Sequence, residues 1–135
     1  MKNKTIQSIL LFLACSTAHA IDAKISHVVS VYDGDTFTVY IDQAPEYMRQ
    51  MPVRIRGIDT PEINGKCDEE KMLAIESREF LRSKLVGTIT LKNIQRDKYF
   101  RLLSDVDANG LSLKDEIIKY KKGRRYDGRK REGWC

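Results

Sequence analysis

Hydrophobic and polar residues alternate through residues 25–58, as is typical of β-strands that are half-buried in a sheet. The alternation breaks at Asp33–Thr36, where the sequence Asp-Gly-Asp-Thr predicts a turn between two strands. After a polar loop, residues 51–58 predict a third strand, with Arg54 and Arg56 together on one face. Two arginines on one face of a strand need anionic partners if they are buried.

The spacing of the hydrophobic residues becomes helical after this strand. It predicts an α-helix over residues 68–86, with Gly87 placed to end it. Two further strands are predicted over residues 88–94 and 99–106. A short helix is predicted over residues 112–121, because its first residue is a serine that can act as an N-cap.

This order of elements predicts one α+β domain that is mainly β, with five short strands, one long helix and one short helix. Five such strands fit a small barrel such as the OB-fold, and the surface of that barrel often binds nucleic acid. Periodicity alone does not select that fold. The chain has no internal repeat and no interdomain linker, so residues 21–135 are expected to form a single domain.

The first twenty residues have the pattern of a secretory signal peptide. Lys2 and Lys4 precede an apolar stretch over residues 6–14, and Ala18-His19-Ala20 offers an A-x-A cleavage site. The apolar stretch is too short to span a bilayer. We therefore expect cleavage after Ala20 and a secreted or periplasmic protein that no longer associates with the membrane. Lipoprotein processing at Cys15 is an alternative that the preceding bulky residues fit poorly.

Cleavage would leave a basic domain with two cysteines. The segment 1–20 contains two lysines and no acid, so the formal net charge falls from +5 to +3. Basic residues are dense between 119 and 131, which suits either nucleic-acid binding or a solvated tail. In an oxidising compartment Cys67 and Cys135 predict one disulfide, and two free thiols are the alternative. Together with His27 they make a poor zinc site.

Carboxylates occur at two predicted breaks in the strands. Asp35 lies in the first, and Asp59 lies in the second, within a segment that also contains arginines. A calcium ion takes about six to eight oxygen ligands, which two carboxylates, a carbonyl and waters can supply. Asp-Gly-Asp-Thr by itself is more often an ordinary turn. The arginines of the second segment favour a divalent cation that acts on a phosphate.

The groups needed for phosphodiester hydrolysis are also present. Glu62 could polarise a water beside a metal, and Arg54 could bind phosphate oxygens in a bidentate manner. Arg101 supplies a second cation. The alternative is that these side chains form structural salt bridges. A histidine base is disfavoured, because His27 is far in sequence from the acids.

Three motifs in this order resemble the staphylococcal nuclease (thermonuclease) family over residues 25–123. They are Asp33–Thr36, Arg54 followed by Gly57–Glu62, and Asp97–Arg101. The resemblance implies a five-stranded OB-fold barrel with helices. It also implies a calcium-dependent nuclease that cuts DNA and RNA with little sequence preference.

The resemblance assigns a role to each motif residue. The Ca²⁺ ligands would be Asp35, Asp59 and the carbonyl of Thr60. Groups that act on the substrate would be Arg54 and Arg101 on the scissile phosphate, Glu62 as general base, and Lys98 and Tyr99 on a neighbouring terminal phosphate. We expect the protein to act as a monomer on DNA and RNA.

The chain departs from the family pattern in three places. Phe100 replaces the glycine that is usual before the second arginine, and the loop after Glu62 is short. The tail after Gly123 is too short for the family's long final helix. It ends in Trp-Cys, as in small exported bacterial members, and a Cys67–Cys135 disulfide would pin it to the long helix.

A non-catalytic OB-type module that binds nucleic acid through its basic face is the other hypothesis. The five motif residues Asp35, Arg54, Asp59, Glu62 and Arg101 favour the enzyme. Carboxylates repel a phosphate backbone unless a metal lies between them, so binding alone has no need for them.

Overall fold

Residues 20–135 are described by a computed structural model, in which a curled sheet packs against two helices. The predicted signal peptide, apart from Ala20, lies outside the described residues. Within the described range, neither helix combines the length and the apolar character needed to cross a bilayer.

The observed elements follow the predicted order. They are β1 (Ala23–Lys24), β2 (His27–Val31), β3 (Thr36–Tyr40), a 3-10 turn (Glu46–Met48), β4 (Gln50–Ile55), β5 (Ile58–Asp59), α1 (Asp68–Lys84), β6 (Ile89–Arg96), β7 (Leu102–Ala108), β8 (Leu111–Ser112), α2 (Leu113–Lys119) and β9 (Arg124–Arg125). Strands β2, β3, β4, β6 and β7 each have five or more residues. The predicted five strands, one long helix and one short helix are therefore confirmed.

The order of the strands in the main sheet explains how distant motifs meet. The order is β1-β6-β7-β4-β3-β2, with β8 paired to β7. Strand β4 runs antiparallel to β3 and parallel to β7, so Arg54 is paired with Thr36 on one side and with Leu103 on the other. The segment around Arg54 consequently lies between the Asp33–Thr36 turn and the chain that follows Arg101. This curled sheet with two helices confirms an OB-fold-like α+β fold.

The core fills the inside of the curled sheet and the face of both helices. Its fully buried side chains alternate along the strands and include Phe37, Val39, Val53, Ile55 and Leu91, with Leu81 from α1 and Leu113 and Ile117 from α2. Burying one such side chain contributes about 1.5–3 kcal/mol. The candidate site is thus built on elements that are held by the core.

The prediction of one strand over residues 51–58 is wrong beyond Ile55. Gly57 has a φ of +82°, a left-handed conformation that glycine adopts without steric cost. The chain turns there, and residues 58–59 form β5, which pairs with β9 instead of the main sheet. The turn separates Asp59 from the strand that carries Arg54.

Candidate active site

The turn between β2 and β3 contains two buried aspartates with different partners. Asp33 Oδ1 accepts hydrogen bonds from the backbone N–H of Asp35 (3.1 Å) and of Thr36 (2.9 Å), so Asp33 stabilises the turn. Asp35 Oδ2 accepts a hydrogen bond from Thr60 Oγ1 at 3.0 Å. Asp35 therefore connects the first motif to the second. Burial and the neighbouring Asp35 carboxylate raise the pKa of Asp33 to about 7.

Helix α1 packs directly on this turn because residue 34 is glycine. A Cβ atom on Gly34 would lie 2.6 Å from the Cβ of Ser77. The hydroxyl of Ser77 in turn donates to the carbonyl of Lys122 at 2.6 Å. The turn, α1 and the chain entering β9 are thus fixed against one another.

Arg54 is buried and is held by oxygen atoms of the protein itself. Its Nη2 lies 3.1 Å from Asp35 Oδ2 and donates to the carbonyl of Ile58 at 2.8 Å. Its Nη1 donates to the carbonyl of Ile55, also at 2.8 Å. The structural salt bridge considered for this arginine is therefore present. Arg54 also fixes the turn that separates β4 from β5.

The loop between β6 and β7 positions Arg101 through Asp97. Asp97 Oδ2 accepts a hydrogen bond from Arg101 Nε at 2.8 Å, and Oδ1 accepts from the backbone N–H groups of Tyr99 and Arg101. Burial raises the pKa of Asp97, but these hydrogen bonds outweigh it and lower the pKa overall. The four-residue spacing of Asp97 and Arg101 in the sequence is the signal for this contact. We predicted no positioning role for Asp97.

Phe100 adopts the backbone conformation that glycine would provide. Its φ is +62°, in the left-handed region that is unfavourable for a side chain with a Cβ atom. The strand predicted from residue 99 therefore begins only at Leu102. With Phe100 in this conformation, Arg101 is paired with Asp97.

Glu62 lies in the loop between β5 and α1, and the loop is held by a buried glutamate. Glu70 accepts hydrogen bonds from the backbone N–H of Glu62 (3.3 Å) and of Lys66 (2.9 Å). Cys67 is the N-cap of α1, and its sulfur accepts from the N–H of Glu70. Glu70 holds the loop through N–H groups that precede the helix, and no role was predicted for it because the N-cap is a cysteine and not a residue typical of a capping box.

Asp59 is buried beneath the C-terminal segment. Its Oδ2 accepts hydrogen bonds from Arg124 Nη2 (2.9 Å) and from Trp134 Nε1 (3.1 Å). Its Oδ1 lies 3.2 Å from Arg131 Nε and is the one buried side-chain polar atom within residues 20–135 that lacks a hydrogen bond. Arg131 also pairs with Glu62. The sequence analysis included these arginines only as part of a basic tail.

The disulfide accounts for the position of this segment. The structure contains the predicted Cys67–Cys135 bond, with the two Cα atoms 5.9 Å apart. Cys67 follows Asp59 closely in the chain, so a bond to the last residue draws the C-terminal segment across Asp59. The pairing was predicted, but the residues that it brings onto Asp59 were not.

A cavity of about 980 Å³ brings together the five residues that we predicted to be catalytic or substrate-binding. It is lined by Arg54, Glu62, Lys98, Tyr99 and Arg101, and also by Arg131. Asp59 lines a neighbouring cavity of about 300 Å³, and Glu62 and Arg131 border both cavities. Asp35 and Thr60 are almost fully buried and line neither of the two.

The carboxylate oxygens of Asp59 and Asp35 are ligand atoms of the type that a hard divalent cation prefers. Oδ1 of Asp59 is buried and accepts no hydrogen bond within residues 20–135. The Asp35 carboxylate accepts a hydrogen bond from Thr60, the residue that follows Asp59 in the chain. In the described part of the chain, Cys67, Glu70 and Cys135 alone form a trio of possible ligand atoms within 4.8 Å of one another. Their sulfurs are bonded to each other, so that trio is not a metal site.

Comparison with known proteins identifies one family. The model of a family described as staphylococcal nuclease homologue matches residues 52–129, which is more than half of the chain. The comparison with curated proteins gave no match. The matched range includes Arg54, Asp59, Glu62 and Arg101, whereas Asp35 and the last six residues lie outside it.

Proposed function

We propose, because the chain belongs to the staphylococcal nuclease homologue family, that it is a calcium-dependent nuclease that hydrolyses phosphodiester bonds in DNA and RNA. The observation that carries this proposal is the shared cavity of Arg54, Glu62 and Arg101. Such a cavity combines cations for a phosphate with a carboxylate for a water. Asp59, whose buried Oδ1 accepts no hydrogen bond within residues 20–135, lies on the adjoining cavity.

Asp35, Asp59 and the carbonyl of Thr60 would hold the calcium ion. When bound, the ion supplies positive charge beside the phosphate and lowers the pKa of a coordinated water. The buried Oδ1 of Asp59 supports this assignment, because within residues 20–135 it accepts no hydrogen bond and its charge partner is the partly exposed Arg131. The hydrogen bond from Thr60 to Asp35 supports it by linking the two motifs.

Arg101 and Arg54 would bind the scissile phosphate and stabilise the charge that develops on its oxygens. Arg101 is the more accessible of the two, with 27% of its side chain exposed against 6% for Arg54. Asp97 occupies only the Nε of Arg101, so the guanidinium is oriented while it faces the cavity. Loss of one such donor typically costs about 2.7–4 kcal/mol of transition-state stabilisation.

Glu62 would accept a proton from the attacking water, because it is the carboxylate that borders both cavities. Lys98 and Tyr99 would hold the neighbouring terminal phosphate of the substrate. The ring of Tyr99 has Lys98 Nζ at 5.0 Å and Arg101 Cζ at 5.2 Å, so this edge of the cavity is both aromatic and cationic.

The protein would act outside the cytoplasm as a secreted or periplasmic monomer. The signal pattern of residues 1–20 motivates this proposal. The Cys67–Cys135 disulfide supports it, because such bonds persist in oxidising compartments.

A digestion assay tests the proposal. The oxidised protein lacking residues 1–20 is incubated with DNA and with RNA, in calcium chloride and in excess chelator. We expect both nucleic acids to be cut with calcium and neither with chelator. Full activity in chelator would remove the metal from the mechanism. Binding of both nucleic acids without cleavage in any divalent metal would instead support the non-catalytic module.

A further inference from the structure

Three guanidinium groups balance three carboxylates at the candidate site. Arg54 pairs with Asp35, Arg124 pairs with Asp59, and Arg131 pairs with both Asp59 and Glu62. A divalent cation added to this set would bring two further positive charges beside the buried carboxylates of Asp35 and Asp59. Since unbalanced buried charge is expensive, binding of the cation favours the departure of one arginine.

Arg131 is the arginine best able to leave. Its side chain is 42% exposed, compared with 30% for Arg124 and 6% for Arg54. Arg124 is also held by Trp134, whose ring lies 3.9 Å from its Cζ. Arg54 has two backbone carbonyls as further partners. Arg131 has weaker support, because the ring of Tyr126 lies 5.7 Å from its Cζ and its other contacts to the site are the carboxylates themselves.

The contacts of Arg131 are also the ones that a cation would need to be free. It lies against Asp59 Oδ1, which has no hydrogen bond in the described part of the chain, and it pairs with Glu62 Oε1. The guanidinium therefore contacts two of the three carboxylates of the site, Asp59 and Glu62.

We infer that Arg131 competes with the metal for Asp59. Calcium must displace Arg131 from Asp59, and the departure of Arg131 also frees Glu62. This inference rests on the proposed function, since it takes calcium as the cation. The C-terminal segment thereby sets the calcium affinity of the site.

The C-terminal segment keeps Arg131 at a high local concentration. Residues 126–133, which we call the tail loop, are anchored on one side by β9, which pairs with β5. On the other side they are anchored by Trp134 and by the disulfide of Cys135. A group on a short segment that is fixed at both ends competes as an intramolecular ligand, at an effective concentration that is typically millimolar or higher.

Calcium titration calorimetry tests the inference with the variant Arg131→Gln. We expect the dissociation constant for calcium chloride to fall about tenfold relative to the unmodified protein, a typical size for coupling between two ligands. Arg129→Gln is the matched control. It removes the same charge from the same loop, but Arg129 is 88% exposed and pairs only with Asp127. We expect its affinity to stay within about twofold of the unmodified protein.

The outcomes separate this inference from the proposed function. Calcium binding that is equal or weaker in Arg131→Gln than in Arg129→Gln would overturn the inference and leave the proposed function standing. No calcium binding by any of the three proteins would overturn both. Circular dichroism in chelator confirms that each variant is folded.

Chemical modification gives a second readout that uses the unmodified protein. Phenylglyoxal reacts with accessible arginines, and mass spectrometry locates the product. We expect modification of Arg131 to rise several-fold when calcium replaces chelator, because the ion pairs with Asp59 and Glu62 are broken. Modification of Arg129 should stay the same. Equal modification of Arg131 in both conditions would contradict displacement.

Discussion

Trp134 donates a hydrogen bond from its indole Nε1 to Asp59 Oδ2 over 3.1 Å, although 75 residues separate the two in the chain. Asp59 is a proposed calcium ligand, and Trp134 is the next-to-last residue. The C-terminal segment is therefore part of the candidate site.

Replacement of Trp134 by phenylalanine should destabilise the metal-free protein by about 1.5–3 kcal/mol, the usual contribution of a hydrogen bond to a charged group. The phenyl ring can still cover Arg124, so the change isolates the indole N–H. Urea unfolding followed by circular dichroism measures the effect. Tyr126→Phe removes an exposed hydrogen bond to the carbonyl of Arg129 and should have a smaller effect. Equal losses in both variants would show that the Asp59 contact has no special weight.

Arg101→Ala should lower kcat/KM by about two to three orders of magnitude with little loss of stability. The side chain is partly exposed and has one carboxylate partner, Asp97. Steady-state cleavage of DNA and thermal unfolding are measured on the same preparation. Arg96→Ala is a neighbouring control, because Arg96 lies outside the lining of the cavity. Near-normal cleavage by Arg101→Ala would remove this residue from the mechanism.

Arg54→Ala should lower cleavage by a comparable factor and, unlike Arg101→Ala, should also destabilise the protein by about 3–5 kcal/mol. The variant leaves Asp35 buried without its ion pair and frees two backbone carbonyls. Urea unfolding in chelator separates the two effects. An unchanged midpoint would contradict the structural role of Arg54.

Glu62→Gln should slow cleavage by about two orders of magnitude or more while binding of a nucleic acid is little changed, because the amide cannot accept the proton from water. Single-turnover cleavage and a binding titration measure the two quantities. Glu132→Gln is the control, since its side chain is 87% exposed and its arginine partner is Arg124 and not Arg131. Equal losses of cleavage and binding in Glu62→Gln would favour a structural role.

The metal-free protein should lose stability as the pH rises from about 4 to 7. Burial raises the pKa of Asp33 to about 7 in the folded state, so the folded chain binds a proton that the unfolded chain has already released. Asp33→Asn cannot ionise and keeps an oxygen for both backbone N–H groups of the turn. Its stability in chelator should fall less over this range. Parallel profiles for the two proteins would contradict the raised pKa.

Reduction of the disulfide should lower the free energy of unfolding by about 4 kcal/mol, as the chain-entropy estimate gives for a bond between residues 68 positions apart. Intact-mass analysis should first find two fewer hydrogens in the isolated protein than in its reduced form. Urea unfolding with and without reductant then measures the effect. Cys135→Ser should be insensitive to reductant. Two free thiols in the isolated protein would refute the bond.

Much of the fold could be predicted because its signals are local. Alternation of hydrophobic and polar residues located β2 and β3, and the N-cap residue Ser112 located α2. The side-chain oxygen of Ser112 accepts a hydrogen bond from the N–H of Asp115. The boundaries that were missed depend on backbone conformation at single residues. Gly57 and Phe100 both have positive φ, and each turn shortens a strand that the residue pattern alone would extend.

The candidate site could be predicted only in part. The motif residues Arg54, Glu62 and Arg101 do border one cavity, since β4 pairs with both β3 and β7. The burial of Arg54 against Asp35 does not follow from its place in a strand, because it depends on how the sheet curls. The supporting role of Glu70 could not be predicted, because it depends on how the loop before α1 folds back onto the helix.

The amino-acid pattern was thus sufficient for the α+β class, the five strands, the family resemblance and the pairing of the cysteines. The first three features depend on periodicity, on capping residues and on short motifs, which are read from neighbouring residues, whereas the pairing follows from the presence of two cysteines after residue 20. The meeting of Arg131, Trp134 and Asp59 depends on contacts between distant parts of the chain, the β5–β9 pairing and the disulfide. Such contacts form only when the whole chain has folded, because the free energy that holds them comes from the packed core and the closed loop.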